Sequence, residues 1–189
     1  MRSIWRWALL GGCLWVVAQE SSAQRARTAY MAPWVTSPMA VVERMLELAG
    51  LKPGETVYDL GSGDGRVLLV AAQKFGAKAV GVELSENLVR KSLEAIEREG
   101  LSDKASVIHG DLMDVDVSKA DVVTIYLLSG SNDVLRPKLE ASLRPGARVV
   151  SHDFEIRGWK PTYVDKTEAH RRDHAIYVYS VPQSFPKKK

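Results

Sequence analysis

Three acidic residues and a run of glycines are the part of this chain best suited to bind a ligand. Residues 57–66 read as a buried strand that ends in Asp59, a turn with glycine at every second position, and the start of a helix. Glycine has no Cβ and tolerates positive φ, so backbone N–H groups in such a turn can approach a ligand closely. Glu83 ends the next apolar run, 22 residues after Gly61. At that spacing a second strand presents a carboxylate to a ribose diol, so the pattern predicts a nucleoside-binding site.

The residues around the glycines indicate which kind of nucleoside fits. A dinucleotide site requires a small third residue in G-x-G-x-x-G, but Arg66 stands at that position. A phosphate-binding loop requires Lys-Ser/Thr after its glycines, and this chain has Arg66-Val67 instead. The carboxylate of Asp59 would repel a pyrophosphate and would attract a ligand that carries an ammonium or sulfonium. The sequence therefore favours a cationic nucleoside.

The segment from Asp59 to Gly65 resembles the first motif of class I S-adenosylmethionine-dependent methyltransferases, D/E-x-G-x-G-x-G. The resemblance implies S-adenosylmethionine as the cofactor. It also implies a third acid, Asp111, that faces the adenine amino group, with Leu112 beside the ring. The alternative for Asp111 is an ordinary turn residue after a short strand. The implied cofactor-binding residues are Asp59, Gly61, Ser62, Gly63, Gly65, Glu83, Asp111 and Leu112.

Later segments carry a more specific resemblance. Residues 58–66, 126–128, 135–139 and 151–154 look, in this order, like the family of the mitochondrial ATP synthase c-subunit lysine methyltransferase and its prokaryotic relatives. Residues 33–38 are similar to that family's Pro-Tyr-Val-Pro-Thr-Pro. This chain departs from the pattern at Trp34, Thr36, Ser37 and residues 129–131, near the presumed acceptor entrance. The resemblance implies a protein-lysine N-methyltransferase whose partner is a protein substrate carrying the acceptor lysine.

A lysine acceptor must lose a proton before it attacks, because its reference pKa is about 10.4. A dry channel with aromatic walls favours the neutral amine, and a carboxylate can orient it. We expect Tyr126, Asp153 and Trp34 to form such a channel, with His152 as a further candidate. The alternative is that Tyr126 and Trp34 are core aromatics and that Asp153 caps a turn.

Methyl transfer from a sulfonium mainly requires positioning of the two reactants, so neither a metal ion nor a covalent nucleophile is expected. Residues 151–153 spell Ser-His-Asp, but neighbours on a strand point to opposite faces. His170 and His174 are four residues apart, yet they straddle a predicted turn between strands. The sequence therefore predicts no metal site.

Two other functions remain open at this point. One is a small-molecule methyltransferase of the same fold, and the other is an exported, non-catalytic cofactor-binding module. The fourth strand is followed by Tyr126-Leu127-Leu128 rather than by Asn/Asp-Pro-Pro-Tyr/Phe, which counts against an amide or adenine nitrogen as the acceptor.

Alternating strand and helix patterns indicate the elements that position these residues. Ser37-Pro38 predicts a helix N-cap, a helix over 86–99 is expected to bury Leu93, and a further helix is expected over 135–143. Extended runs over 161–169 and 174–181 predict a hairpin. The expected fold is α/β, a Rossmann-like seven-stranded doubly wound sheet with a C-terminal antiparallel hairpin.

Composition is that of one folded domain, since 46% of the 189 residues are hydrophobic and only 26% are charged. The net charge of +3 includes three lysines at 187–189, and no Lys/Arg stripe with interleaved aromatics indicates nucleic-acid binding. The sequence gives no indication of oligomeric state.

The N-terminus reads as a targeting segment over residues 1–23. Arg2 and Arg6 precede an uncharged run over 8–18, and a small-residue cleavage site follows at 21–23. This run is too short to span a bilayer, which needs about 20 residues. We expect a cleaved signal and a periplasmic or secreted protein; the alternatives are an uncleaved anchor near a membrane and a mitochondrial presequence. An arm over 24–36 and a methyltransferase domain over 37–185 would follow.

Overall fold

A mixed sheet of seven strands organises the structure, a computed structural model that describes residues 35–186. The strand order is β3-β2-β1-β4-β5-β7-β6, and β7 runs antiparallel to both β5 and β6. This arrangement confirms the predicted doubly wound sheet with a C-terminal hairpin. The strands are β1 (Thr56–Leu60), β2 (Lys78–Glu83), β3 (Ala105–His109), β4 (Val122–Ile125), β5 (Arg148–His152), β6 (Tyr163–Ala169) and β7 (Arg172–Ser180).

Within residues 35–186 four helices cover the sheet, and side-chain alternation along the strands divides the core into two clusters. The helices are α1 (Met39–Leu48), α2 (Arg66–Phe75), α3 (Glu86–Arg98) and α4 (Ser129–Ser142). Val57, Val150 and Ile176 face α1 and α2, whereas Leu60, Val149 and Tyr179 face α4 on the other side. Asp59 and His152 lie two residues after Val57 and Val150, so they are on the same face of the sheet as α1 and α2.

The strand order reverses direction between β1 and β4. From β1 the chain builds outward through β2 and β3, then returns to place β4 and β5 on the other side. Such a reversal leaves a crevice at the carboxyl ends of the two central strands, where ligands of open α/β sheets bind. All four residues of β4 are buried, as expected for a central parallel strand.

The start of α1 differs from the prediction. Pro38 occupies the N-cap position, and no side chain caps this helix. Ser37 was expected to cap, but its hydroxyl lies 2.8 Å from Nδ1 of His152, which is 115 residues away in the chain. The Ser37 hydroxyl therefore pairs with the buried His152 and does not cap the helix.

Two helices also differ in detail. Leu93 was predicted to be buried but is 45% exposed, because α3 turns Ala95 toward the core instead. The helix predicted over 135–143 begins earlier, at Ser129, and contains Pro137 in its interior. Residues 129–133 are small or polar and resemble a loop. Asn132, however, is buried and donates from Nδ2 to the carbonyls of Phe154 and Glu155, which anchors this first turn.

Several predictions about the N-terminus lie outside the described residues. These are the signal segment over 1–23, most of the arm over 24–36, and Trp34. Cleavage and export therefore stay predictions. Within residues 35–186, none of the helices has the length and apolar character needed to cross a bilayer.

Replacing Gly65 with alanine should destabilise the fold. Gly65 has φ +80°, and a Cβ there would lie 2.0 Å from Oγ of the buried Ser92 on α3. We expect the free energy of unfolding to fall by about 2–4 kcal/mol, from backbone strain plus overpacking. Urea unfolding of the purified chain measures this change.

Gly50→Ala is the matched control, because Gly50 has φ +60° but no atom within 4 Å of the position that a Cβ would take. It should lose only about 1–2 kcal/mol, the cost of the left-handed backbone. Equal losses in the two variants would show that Ser92 does not constrain position 65.

Candidate active site

A cavity of about 560 Å³ opens at the carboxyl ends of β1, β2 and β4, a size that suits a small-molecule ligand. Among the described residues, Gly65, His152 and Asp153 were predicted for the site but do not line this cavity. The predicted residues that line it are Asp59, Gly61, Ser62, Gly63, Glu83, Asp111, Leu112 and Tyr126.

Glu83 fixes the glycine turn through backbone hydrogen bonds. The N–H of Gly63 donates to Oε2 of Glu83 over 2.9 Å, and the N–H of Ser85 donates to Oε1 over 2.8 Å. The N–H groups of Gly61 and Ser62 donate to the carbonyl of Val82. Each carboxylate oxygen retains a lone pair, so Glu83 can still accept hydroxyl hydrogen bonds from a ligand.

Gly65 serves the scaffold. It is the N-cap residue of α2 and is packed against Ser92 of α3. Its lack of a side chain therefore allows helix packing directly behind the turn. The glycine motif alone does not show whether Gly65 is needed for helix packing or for contact with a ligand.

Asp59 is the most unusual charge in the cavity. It is 7% exposed, and Oγ1 of Thr124 donates to its Oδ1 over 2.7 Å. Burial raises the pKa of Asp59 to about 7, and the nearby carboxylates of Glu83 and Asp64 act in the same direction. Within residues 35–186 no cationic side chain pairs with it. A ligand ammonium or sulfonium would supply the missing positive charge.

Asp111 lies at the far side of the cavity, after β3. Its Oδ1 accepts a hydrogen bond from the N–H of Met113 over 2.8 Å, and the N–H of Gly110 donates to the carbonyl of Glu83. The side chain is thereby oriented while Oδ2 stays available as an acceptor. Leu112 is buried beside it, so this end of the cavity combines an acceptor with an apolar wall.

Sequence reasoning placed Thr36 and Ser37 near an acceptor entrance but did not assign the arm to the wall of the cofactor cavity. Val35, Thr36 and Ser37 form part of the wall, and Nη1 of Arg66 donates to the carbonyl of Ser37 over 2.6 Å. Arg66 is itself held by Asp64, at 2.7 Å. The charge of Arg66 directly after the glycine turn could have indicated a contact of this kind. Its partner Ser37 is 29 residues away, so no local pattern identifies it.

Three of the predicted acceptor residues, Tyr126, His152 and Asp153, meet beside the cavity. The hydroxyl of Tyr126 donates to Oδ2 of Asp153 over 3.1 Å, and the Tyr126 ring lies 3.9 Å from the His152 ring between centroids. Nη2 of Arg172 also donates to Oδ2 of Asp153, over 2.8 Å. Burial alone would raise the pKa of Asp153. The pKa is nevertheless lowered overall, chiefly by the hydrogen bond from Arg172.

His152 and Asp153 face the same cluster, contrary to the expectation that strand neighbours point apart. The strand ends at His152, and Asp153 has φ 60°, so the chain turns back at that point. Burial lowers the pKa of His152 to about 4, which keeps its imidazole neutral near pH 7. Its Nε2 lies 2.8 Å from Nδ1 of His174, a residue that the sequence paired with His170 instead.

Residues 59–163 match the family model described as the ANTKMT methyltransferase domain, which is more than half of the chain. The chain belongs to this family. It is 48% identical over 150 residues to a protein-lysine N-methyltransferase of Saccharolobus islandicus. The aligned region covers 79% of this chain and 93% of that protein. It is also 35% identical over 132 residues to the human ATP synthase c-subunit lysine N-methyltransferase, covering 70% of this chain and 56% of the human protein.

A solved structure agrees with the fold. The crystal structure of an RNA methyltransferase from Salinibacter ruber, in complex with S-adenosyl-L-homocysteine, has a TM-score of 0.77 and 41% identity. It covers 82% of this chain and 98% of that one. The family member described here is thus an S-adenosylmethionine-dependent methyltransferase, as the resemblance implied.

The cavity suits this cofactor. S-adenosylmethionine supplies an activated methyl group on a sulfonium. Because all three acids line the cavity, we expect Asp59 to meet the cofactor's positive charge, Glu83 to accept from the ribose and Asp111 to accept from the adenine. Gly61 and Gly63 place no Cβ at two positions of the turn that lines the cavity.

Cofactor binding should depend on pH through Asp59. Below about pH 7 the buried carboxyl is largely protonated and cannot attract a cation, so affinity should rise from pH 6 to pH 8. Asp59→Asn should weaken binding about 10- to 100-fold at pH 8 and remove this pH dependence. Calorimetric titration with S-adenosylmethionine measures both effects.

The exposed Asp103→Asn variant should retain wild-type affinity and pH dependence. Without cofactor, Asp59→Asn should also be more stable than wild type at pH 8, by about 1–3 kcal/mol, because a raised carboxyl pKa costs stability as pH rises from about 4 to about 7. The two chains should differ less at pH 4. Unchanged affinity in Asp59→Asn would mean that the cation binds elsewhere.

Proposed function

We propose that this enzyme transfers a methyl group from S-adenosylmethionine to the ε-amino group of a lysine in a protein substrate. The family match and the two lysine methyltransferase relatives support a lysine acceptor. The observation that carries the proposal is Tyr126, which lines the cavity and also donates its hydroxyl to Asp153. It connects the cofactor cavity to a carboxylate that can receive a cation.

The environment of Asp153 suits an incoming ammonium. Its side chain is 14% exposed, and Oδ2 already pairs with the cationic Arg172. A lysine ammonium can make the same charge-assisted hydrogen bond when it approaches past Arg172, which is about half exposed. Asp153 thus offers an acceptor-binding position near the cavity rather than inside it.

Transfer itself requires a neutral amine in line with the methyl group. The aromatic ring of Tyr126 and the neutral His152 behind it form a weakly hydrated wall, which favours loss of the ammonium proton. Tyr126 would orient the amine as it passes from Asp153 to the cavity. Positioning and exclusion of water supply the catalysis in this scheme.

Labelling of a mixed extract tests the proposal. The full-length chain is incubated with tritiated S-adenosylmethionine and, separately, with protein, RNA and metabolite fractions of a cell lysate. We expect label in protein, with methyl-lysine identified by mass spectrometry. Label confined to the RNA fraction would assign the activity that the Salinibacter ruber protein's name describes, and label confined to metabolites would indicate a small-molecule enzyme. Either result would overturn the lysine assignment.

Tyr126→Phe should lower kcat for the labelled protein about 10- to 100-fold, because it removes one hydrogen bond to a charged group while it keeps the ring. Affinity for S-adenosylmethionine should change less than about twofold, since the hydroxyl bonds to Asp153. Steady-state kinetics and cofactor titration separate the two effects.

Tyr163→Phe is the matched control, because Tyr163 is 51% exposed on β6 and does not line the cavity. Its kcat should equal that of the wild type. A Tyr126→Phe enzyme with normal kcat would exclude the hydroxyl from orienting the acceptor.

A further inference from the structure

Three metal-ligand side chains converge at the junction of β5 and β7. His152 ends β5, Asp153 follows it, and His174 lies on β7, two residues from the partner of His152 in the strand register. We call these three residues the histidine–aspartate cluster. Nε2 of His152 lies 2.8 Å from Nδ1 of His174, and Oδ2 of Asp153 lies 3.4 Å and 3.5 Å from these two nitrogens.

The two distances to Asp153 match the ligand-to-ligand spacing of a tetrahedral Zn²⁺ shell, about 3.3 Å, and the closer nitrogens form a hydrogen-bonded pair that separates slightly on ligation. Zn²⁺ bonds to imidazole nitrogen and carboxylate oxygen at about 2.0–2.1 Å. An ion at this distance from all three atoms fits above the triangle that they form. We propose that the histidine–aspartate cluster binds one divalent ion of the Zn²⁺ type, with a fourth position open. This site goes beyond methyl transfer. Sequence reasoning predicted no metal site and did not consider His152 with His174, which is 22 residues away.

The surroundings of the histidines support ligation. Nδ1 of His152 lies 2.8 Å from the hydroxyl of Ser37, so the nitrogen that faces away from the cluster has the hydrogen-bond partner that metal-bound histidines usually have. Nε2 of His174 is buried and makes no hydrogen bond within residues 35–186. When the hydrogen bond between Nδ1 of His174 and Nε2 of His152 opens, the ring proton of His174 can sit on this unbonded Nε2 and leave Nδ1 free for an ion.

Arg172 competes with a metal ion for the carboxylate of Asp153. Its guanidinium and the hydroxyl of Tyr126 both donate to the same oxygen, Oδ2 of Asp153, that would bind the ion. Arg172 is about half exposed, so it can swing into solvent and open the cluster. A bound ion would then take the carboxylate away from Tyr126, and we expect it to inhibit methyl transfer.

Binding is measured by titrating the purified full-length chain with Zn²⁺ alone, using calorimetry and competition with a chromogenic zinc indicator. We expect one site per chain that is lost, or weakened more than about tenfold, in His174→Asn. Ser37→Ala should weaken it about tenfold through the outer hydrogen bond. Arg172→Gln should tighten it at least about threefold, because it removes the competing cation.

His109→Gln and His170→Gln are the controls, since both histidines lie outside the cluster. They should bind Zn²⁺ as the wild type does. The visible absorption of Co²⁺, bound in place of Zn²⁺, reports coordination geometry and should disappear in His174→Asn, while circular dichroism verifies that this variant is folded. Because none of these readouts uses methylation, they are independent of the acceptor assignment.

Two results would overturn the proposal. One is the absence of Zn²⁺ binding to the wild type, which would leave His152 and His174 as a hydrogen-bonded pair. The other is equal affinity in the wild type and a folded His174→Asn, which would place the ion at other residues. Weaker binding in Arg172→Gln would likewise contradict competition for Asp153.

Discussion

The buried carboxylate of Asp59 is the interaction on which the rest of the site depends. Desolvation makes its charge unfavourable, and Thr124 offers only a neutral hydrogen bond in return. Its position at the end of β1, beside the strand-order reversal, places this unfavourable charge where a ligand can reach it. A positively charged ligand would offset this desolvation and lower the pKa of Asp59.

Short-range sequence patterns were sufficient for the cofactor side of the site. Asp59, Glu83 and Asp111 each follow an apolar run, and parallel strands bring their carboxyl ends to one edge of the sheet. The doubly wound architecture follows from the same alternation. Leu93 shows where such patterns fail, because an apolar residue on a mostly polar helix can remain on the surface.

The acceptor side depends on contacts that no local pattern indicates. Ser37, His152 and His174 come from the arm, β5 and β7, and they meet only because the antiparallel hairpin folds back against the parallel sheet. Asp153 joins them through a left-handed backbone conformation that is uncommon outside glycine. Residues 151–153 spell a triad-like sequence, and the expectation that its strand neighbours point apart fails at the last position, because the strand ends at His152 and the chain turns at Asp153.

The stretch 35–37 contacts both halves of the site. Its side chains form part of the cofactor cavity wall, its carbonyl at Ser37 accepts from Arg66, and the Ser37 hydroxyl contacts His152. Any displacement of this stretch therefore changes the wall of the cofactor cavity and the hydrogen bond to His152 together.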